Sequence, residues 1–110
     1  MKAVQINSYG GNEVVELVAF APVPVVVPGQ VLVRVIAAGI NPSDWKIRQG
    51  LFQAWRPLTF PATLGGDFVG VVSELGAGVI GLKVGDRVFG RALAGGVGSG
   101  SFADFLVSAS

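Results

Sequence analysis

The 110-residue chain has the size of one ordinary domain, and its 51% content of hydrophobic residues is enough to form a core. Its net charge of +1 comes from scattered basic residues that form no stripe along which nucleic-acid phosphates would bind, so we expect no nucleic-acid partner. The absence of Cys and His excludes disulfides, thiol nucleophiles, thiolate metal sites and a Ser-His-Asp hydrolase.

The sequence predicts neither a signal peptide nor a membrane helix. The first 11 residues lack the apolar run of a signal peptide, and the longest charge-free stretch, residues 17–33, contains three prolines. A membrane helix would not tolerate so many helix breakers. We therefore expect a soluble, cytoplasmic protein without a membrane partner. The high mean hydropathy of +0.64 has two open explanations: a surface that faces another domain, or simply abundant Val, Ala and Gly.

Short β-rich runs separated by Gly and Pro predict a mainly β fold. The strands are expected at residues 3–6, 14–20, 30–40, 67–75, 86–93 and 101–107. The clearest of them, residues 30–40, has mostly apolar side chains on both faces, which predicts that it is largely buried on both sides. The proline-rich segment before it should be an extended connection.

One segment, residues 42–49, carries the signals of a short helix instead. Asn41 is a good N-cap, and Pro42 suits the first helical position because its missing N–H would be unpaired there. Asp44 places negative charge in the first turn, and Gly50 favours termination. We predict a small, mostly antiparallel barrel or sandwich with one embedded helix.

The sequence GAGVIG at residues 76–81 fits G-x-G-x-x-G, the glycine spacing of a dinucleotide-binding turn. That turn needs a helix after its third glycine to hold the pyrophosphate. The following LKVGDRVFGRALAGG has glycines every four or five residues, each costing roughly 1 kcal/mol in a helix interior. We therefore predict a strand-to-strand loop. GGVGSG at residues 95–100 is likewise predicted to be a flexible loop.

Five segments taken in order carry a family resemblance: MKAV…GG, PGQVLVRVIAAGINPSDWKIRQG, LGGDFVGVVSELGAGV, KVGDRVFG and GSFADF. Together they resemble the medium-chain dehydrogenase/reductase family, and specifically its zinc-independent quinone oxidoreductase branch. The resemblance implies that residues 1–110 form a GroES-like catalytic domain, a partly open β-barrel. It also implies that this domain is incomplete, because the Rossmann domain that follows it in the family is absent from this chain.

The same resemblance indicates the chemistry. Zinc-dependent members have a Cys where this chain has Asn41 and a His-Glu pair where it has Gly66 and Asp67, so no zinc site is expected. The implied reaction is hydride transfer from NADPH to a quinone or an α,β-unsaturated carbonyl. Since NADPH would be bound mainly by the missing domain, the chain alone should be inactive.

By resemblance, Asn41 and Asp44 are catalytic and lie at the nicotinamide-ribose end of the cofactor. The alternatives are a plain helix cap for Asn41 and a first-turn charge for Asp44. Some quinone reductases have a Tyr at the position of Lys46. This lysine could protonate an enolate, or it could be a solvated helix residue.

Three aromatic residues, Trp45, Phe52 and Trp55, could form an apolar wall against a flat acceptor, or they could belong to the core. Asp67 is expected to be a supporting residue of the site or the barrel, and Asp86 to shape a turn.

Two other functions remain open at this point. A stand-alone GroES-like module could bind a partner as a co-chaperonin does, although GGVGSGS lacks an apolar anchor for a chaperonin groove. A truncated chain could also form a homodimer or self-associate through the exposed interdomain face.

Overall fold

Two antiparallel β-sheets and one α-helix form the part of the chain that the computed structural model describes, residues 1–92 and 100–110. The elements in order are β1 (Ala3–Ile6), a 3₁₀ helix (Asn12–Val14), β2 (Glu16–Val18), β3 (Gln30–Ala38), α1 (Pro42–Gln49), β4 (Ala62–Thr63), β5 (Asp67–Leu75), β6 (Arg87–Arg91) and β7 (Phe105–Ala109). Over these residues the sheets do not close into a barrel. The predictions of a mainly β, partly open fold and of a helix at residues 42–49 are confirmed.

The larger sheet has the strand order β6-β5-β3-β7 and contains the main hydrophobic core. The buried residues of this core are Val31, Val33, Phe68, Val72, Ala92 and Leu106. Five of them lie on strands β3, β5 and β7, where alternate side chains point to the same face, and Ala92 directly follows β6. The register of β3 against β5 shifts twice, between Leu32 and Val33 and between Val35 and Ala37.

The other face of β3 is less buried than its composition predicts. Leu32 is buried there, but Arg34 and Ile36 are exposed, and so are the last two residues of the strand. The expectation of a strand buried on both sides is therefore wrong. The described chain places no second layer over this end of the strand, and Ile36 lies within the register shift.

The smaller sheet has the order β2-β1-β4 and is joined to the larger one through residues 101–104. Phe102 donates its N–H to the Leu64 carbonyl and accepts from the Val4 N–H at 2.8 Å, while Asp104 accepts from the Val35 N–H at 2.8 Å. The predicted strand at residues 101–107 thus begins only at Phe105, because the residues before it cross between sheets.

The remaining strand predictions differ at their ends. The run at residues 14–20 contains the end of the 3₁₀ helix and only three strand residues, and the two-residue strand β4 was not predicted. The end of the strand predicted at residues 86–93 lies outside the described residues. The loop predicted at residues 95–100 lies there too, except for Gly100.

The GAGVIG segment joins β5 to β6, as predicted, and no helix follows it before Arg87. Gly76 donates its N–H to the Gln30 carbonyl at 2.7 Å, which ties the loop to the start of β3. Gly78 has φ +81° and Gly81 has φ +84°, conformations that favour glycine. The glycine spacing therefore serves turn geometry. Asp86 shapes the next turn by accepting from the Lys83 N–H at 3.0 Å.

None of the helices in the described ranges reaches the length and hydropathy required to cross a membrane.

Candidate functional site

The start of α1 is fixed by contacts between Asn41 and Asp44. Asn41 has an extended backbone (φ −130°, ψ 157°), as expected for a residue before proline. Its N–H donates to the Asp44 carboxylate at 2.7 Å, and the Asp44 N–H donates back to the Asn41 carbonyl at 3.0 Å. The Asp44 carboxylate at the third helical position thus makes the reaching-back half of a capping box, and a backbone bond closes the turn. Asp44 is buried, so its carboxylate is committed to the helix start.

The side chain of Asn41 leads into a chain of polar contacts. Its Nδ2 donates to Asp67 Oδ2 at 2.8 Å. The other Asp67 oxygen lies 3.3 Å from Arg91 Nη1, and Arg91 Nη2 donates to Ser43 Oγ at 3.1 Å. We call Asn41, Asp67, Arg91 and Ser43 the polar chain. It connects the first turn of α1 to strands β5 and β6.

Strand register places the central pair of the polar chain. Asp67 begins β5 and lies directly opposite Arg91, the last residue of β6. Opposite charges at directly paired positions attract across an antiparallel sheet. Both side chains are about half exposed, so the pair orients Arg91 more than it stabilises the fold. Asp67 thus contacts both Asn41 and Arg91, and its supporting role stays a prediction.

A cavity of about 380 Å³ lies beside the polar chain. We call it the aromatic cavity. Its lining residues are Ser43, Ile47, Phe52, Gln53, Trp55, Arg56, Leu58, Gly66, Arg91 and Ala92. The rings of Phe52 and Trp55 are stacked at 6.3 Å between centroids and 19° between planes. Ser43 and Arg91 bring the polar chain to its wall, so the cavity combines a flat apolar surface with hydrogen-bond donors.

A turn after α1 carries this wall. The N–H groups of Trp55 and Arg56 both donate to the Phe52 carbonyl, at 3.0 and 2.8 Å. Tyr9 anchors the far end of the segment, because its hydroxyl accepts from the Leu58 N–H at 2.8 Å. The Tyr9 ring also meets Phe60 edge-on at 5.1 Å.

The structure brings some of the predicted site residues together and separates others. Phe52 and Trp55 share the aromatic cavity, whereas Asp44 and Trp45 line a second cavity of about 540 Å³. Lys46 Nζ lies 5.6 Å from the centre of the Trp45 ring, a cation–π contact. Trp45 is 43% exposed and Trp55 is 82% exposed, so the core alternative does not hold for either tryptophan.

Sequence reasoning missed Arg91 and Ser43 as residues of the site. Nothing in the local sequence around Arg91 distinguishes it from the other exposed arginine of β6, Arg87. Only the pairing of β5 with β6 shows that Arg91 faces Asp67. For Ser43, the available signal was its position in the first turn of a helix that begins at the candidate residue Asn41.

The family model of the alcohol dehydrogenase GroES-like domain matches residues 27–110. The chain belongs to this family. Its relatives include the quinone oxidoreductase of Rattus norvegicus, 38% identical over 99% of this chain and 31% of the relative. The NADPH-dependent alkenal/one oxidoreductase of Arabidopsis thaliana is 42% identical over 96% of this chain and 28% of the relative.

Solved structures agree with the curated relatives. The Escherichia coli quinone oxidoreductase in complex with NADPH superposes with a TM-score of 0.78 at 31% identity, over 97% of this chain and 30% of the other. The chain thus spans about a third of the length of the relatives it matches, and it corresponds to part of an oxidoreductase. The resemblance to quinone oxidoreductases of the medium-chain family is confirmed.

The side chains at the family's zinc positions do not fit a zinc ion. The Asn41 side-chain amide donates a hydrogen bond to Asp67, and Gly66 supplies no side-chain ligand. Within residues 1–92 and 100–110, no group of three or more His, Cys, Asp or Glu residues is placed to hold a metal.

Proposed function

We propose that this GroES-like domain is the catalytic part of a zinc-free oxidoreductase that reduces quinones or α,β-unsaturated carbonyls with NADPH. The observation that carries the proposal is the aromatic cavity beside Asn41, the residue that stands at the family's cysteine position. A stacked pair of rings suits a flat acceptor, and the Arg91 and Ser43 donors suit its oxygen atoms. We expect the protein to act in the cytoplasm.

Each candidate residue then has a distinct task. NADPH, when bound, supplies a hydride, and the acceptor takes up that hydride together with a proton. Asn41 and Asp44 hold the first turn of α1 in place near the nicotinamide-ribose end of the cofactor. Phe52 and Trp55 bind the flat face of the acceptor and exclude water from it. Lys46 stays the predicted proton donor, although its contact is with Trp45 of the second cavity and it does not line the aromatic cavity.

The bulk of the cofactor would be bound outside this chain, by a Rossmann domain like the one that follows this region in the family. The GAGVIG segment supports this division, because it forms a loop between strands and opens no helix. Titration of the chain alone with NADPH should therefore show only weak binding. Saturation at micromolar NADPH would contradict this division of labour.

A chimera tests the activity directly. In it, this chain replaces the matching third of the rat quinone oxidoreductase, and NADPH oxidation is followed with 1,4-naphthoquinone and with an alkenone. We expect acceptor-dependent oxidation, a reduced rate in the Asn41→Ala variant, and an unchanged rate in the Asn7→Ala control, which alters an exposed residue. A folded chimera that binds NADPH but reduces neither acceptor would overturn the proposal. EDTA should leave the rate unchanged.

An exposed apolar row on the larger sheet supports a covering partner. Val69 and Phe89 lie directly opposite each other and are 43% and 86% exposed. A second domain or a second copy of the chain would bury them. Sedimentation over a range of concentrations tests self-association, and a monomer at all concentrations would exclude the homodimer.

The co-chaperonin alternative has little support. The relatives named above are oxidoreductases, and most of the loop that would contact a chaperonin lies outside the described residues.

A further inference from the structure

The charged residues that line the aromatic cavity are both arginines. Arg56 and Arg91 are among its ten lining residues, and no carboxylate is among them. Asp67 touches Arg91 from outside the lining and balances one of the two positive charges. The described wall of the cavity therefore carries an excess of positive charge, which attracts an anion.

The guanidinium of Arg91 is positioned and still has free bonding capacity. Asp67 holds Nη1 and Ser43 holds Nη2. An arginine carries five N–H donors in a planar fork, and these two contacts use only part of them. A carboxylate matches the spacing of such a fork and can accept two parallel hydrogen bonds.

Much of the remaining wall is apolar. The stacked rings of Phe52 and Trp55 and the side chains of Ile47 and Leu58 form it. Arg56 follows Trp55 directly, and both residues belong to the turn that closes on the Phe52 carbonyl. One short turn thus presents an aromatic surface and a cation side by side.

We propose that the aromatic cavity binds a flat conjugated molecule that carries a carboxylate. Arg56 and Arg91 bind the carboxylate, and Phe52 and Trp55 stack against the ring. The inference rests on the proposed function, because it narrows the substrate class to acidic quinones or enones. It concerns binding only and adds no chemical step.

Binding of two matched probes to the isolated chain tests this inference. The probes are 2-naphthoate and its neutral analogue 2-naphthamide, followed by tryptophan fluorescence or by NMR. Since a hydrogen bond to a charged group is stronger than one to a neutral group, we expect naphthoate to bind roughly tenfold more tightly. Its affinity should fall as NaCl is added. Equal affinities for the two probes would overturn the proposal.

Substitutions locate the site. Arg91→Gln and Arg56→Gln should each weaken naphthoate binding about fivefold to tenfold and leave naphthamide binding unchanged. Arg87→Gln is the matched control, because Arg87 is an exposed arginine of the same strand that does not line the cavity. Thermal unfolding checks that the variants are folded. If both cavity variants bind naphthoate as the unsubstituted chain does, the assignment is wrong.

A third probe tests whether the arginines bind the carboxylate of an acceptor or the phosphate of the cofactor. Adenosine 2′-monophosphate carries the phosphate that distinguishes NADPH, and it should not displace naphthoate. Displacement at similar concentrations would assign the arginines to the cofactor and overturn the inference. These experiments measure binding and not hydride transfer, so their result is valid even if the chimera is inactive. A chimera active with neutral quinones but unable to bind naphthoate refutes only this inference.

Discussion

The larger sheet and the segment at residues 41–60 are stabilised in different ways. The sheet encloses six buried apolar residues, whereas the residues buried in the segment are Asp44 and Gly50. The segment is held by a capping arrangement, by Tyr9 and by the polar chain, and at its far end Leu58 and Phe60 pack against a small core of Ile6, Ala62 and Leu64. Apolar burial therefore stabilises the sheet, and directional polar contacts position the helix and the cavity wall. Substitutions should cost much stability in the first region and mainly change function in the second.

The largest effect is expected for Leu106→Ala in the sheet. Leu106 is fully buried in the main core, and truncating a buried leucine costs about 3 kcal/mol. Urea unfolding should show this loss, while Leu17→Ala, at a position 76% exposed, should change the midpoint little. Similar losses in the two variants would mean that burial does not distinguish these positions.

The next effect is expected at the start of α1. Asp44→Ala removes the buried acceptor of the Asn41 N–H, which should cost about 2 kcal/mol. The exposed Glu74→Gln serves as the control for the loss of a charge. In the chimera, Asp44→Ala should also lower the rate, because the first turn of the helix shifts. If the variant is destabilised but its rate is unchanged, Asp44 has a structural role only.

A smaller effect is expected for Tyr9→Phe. The ring contact with Phe60 remains, but the Leu58 N–H loses its acceptor, at a cost of about 1 kcal/mol. Because Leu58 lines the aromatic cavity, naphthamide binding should weaken as well. Weaker binding without a lower unfolding midpoint would show that the hydroxyl orders the wall and adds no stability.

The smallest effect is expected for Glu13→Gln. The Glu13 carboxylate accepts from the backbone N–H groups of Glu13 itself and of Gly11, and these hydrogen bonds lower its pKa. A lowered pKa adds stability above the usual Glu value of about 4.3, and this contribution is lost as the pH falls through the folded-state pKa. The urea midpoint of the variant should thus lie below that of the unsubstituted chain at pH 7, and this difference should be smaller at pH 3. An equal difference at both values would contradict the assignment.

The sequence predictions succeeded where the structure depends on neighbouring residues and failed where it depends on residues distant in the chain. The helix at residues 42–49 was predicted correctly because its signals, Asn41, Pro42 and Gly50, are adjacent to it. The GAGVIG loop was predicted correctly because glycine content is a local property. The exposure of Ile36 was missed, since it depends on which layers cover the sheet.

The candidate site shows the same limit. Asn41 and Asp44 could be named from family positions and capping patterns. Arg91 could not, because its role depends on a partner 24 positions away that only strand pairing brings near. The sequence also could not show that Trp45 and Trp55 line different cavities, because this depends on where the turn after α1 lies in the folded chain.

The register of Asp67 against Arg91 has a consequence for how this domain can evolve. A one-residue insertion or deletion within β6 would turn the Arg91 side chain toward the core face and place its neighbour opposite Asp67. Substitutions in the aromatic wall can accumulate singly, whereas a change of length in β6 removes Arg91, one of the two cations of the cavity, in one step. Homologues that keep the spacing between GDRV and the end of β6 should therefore share the cavity's charge, and those that alter it should accept different ligands.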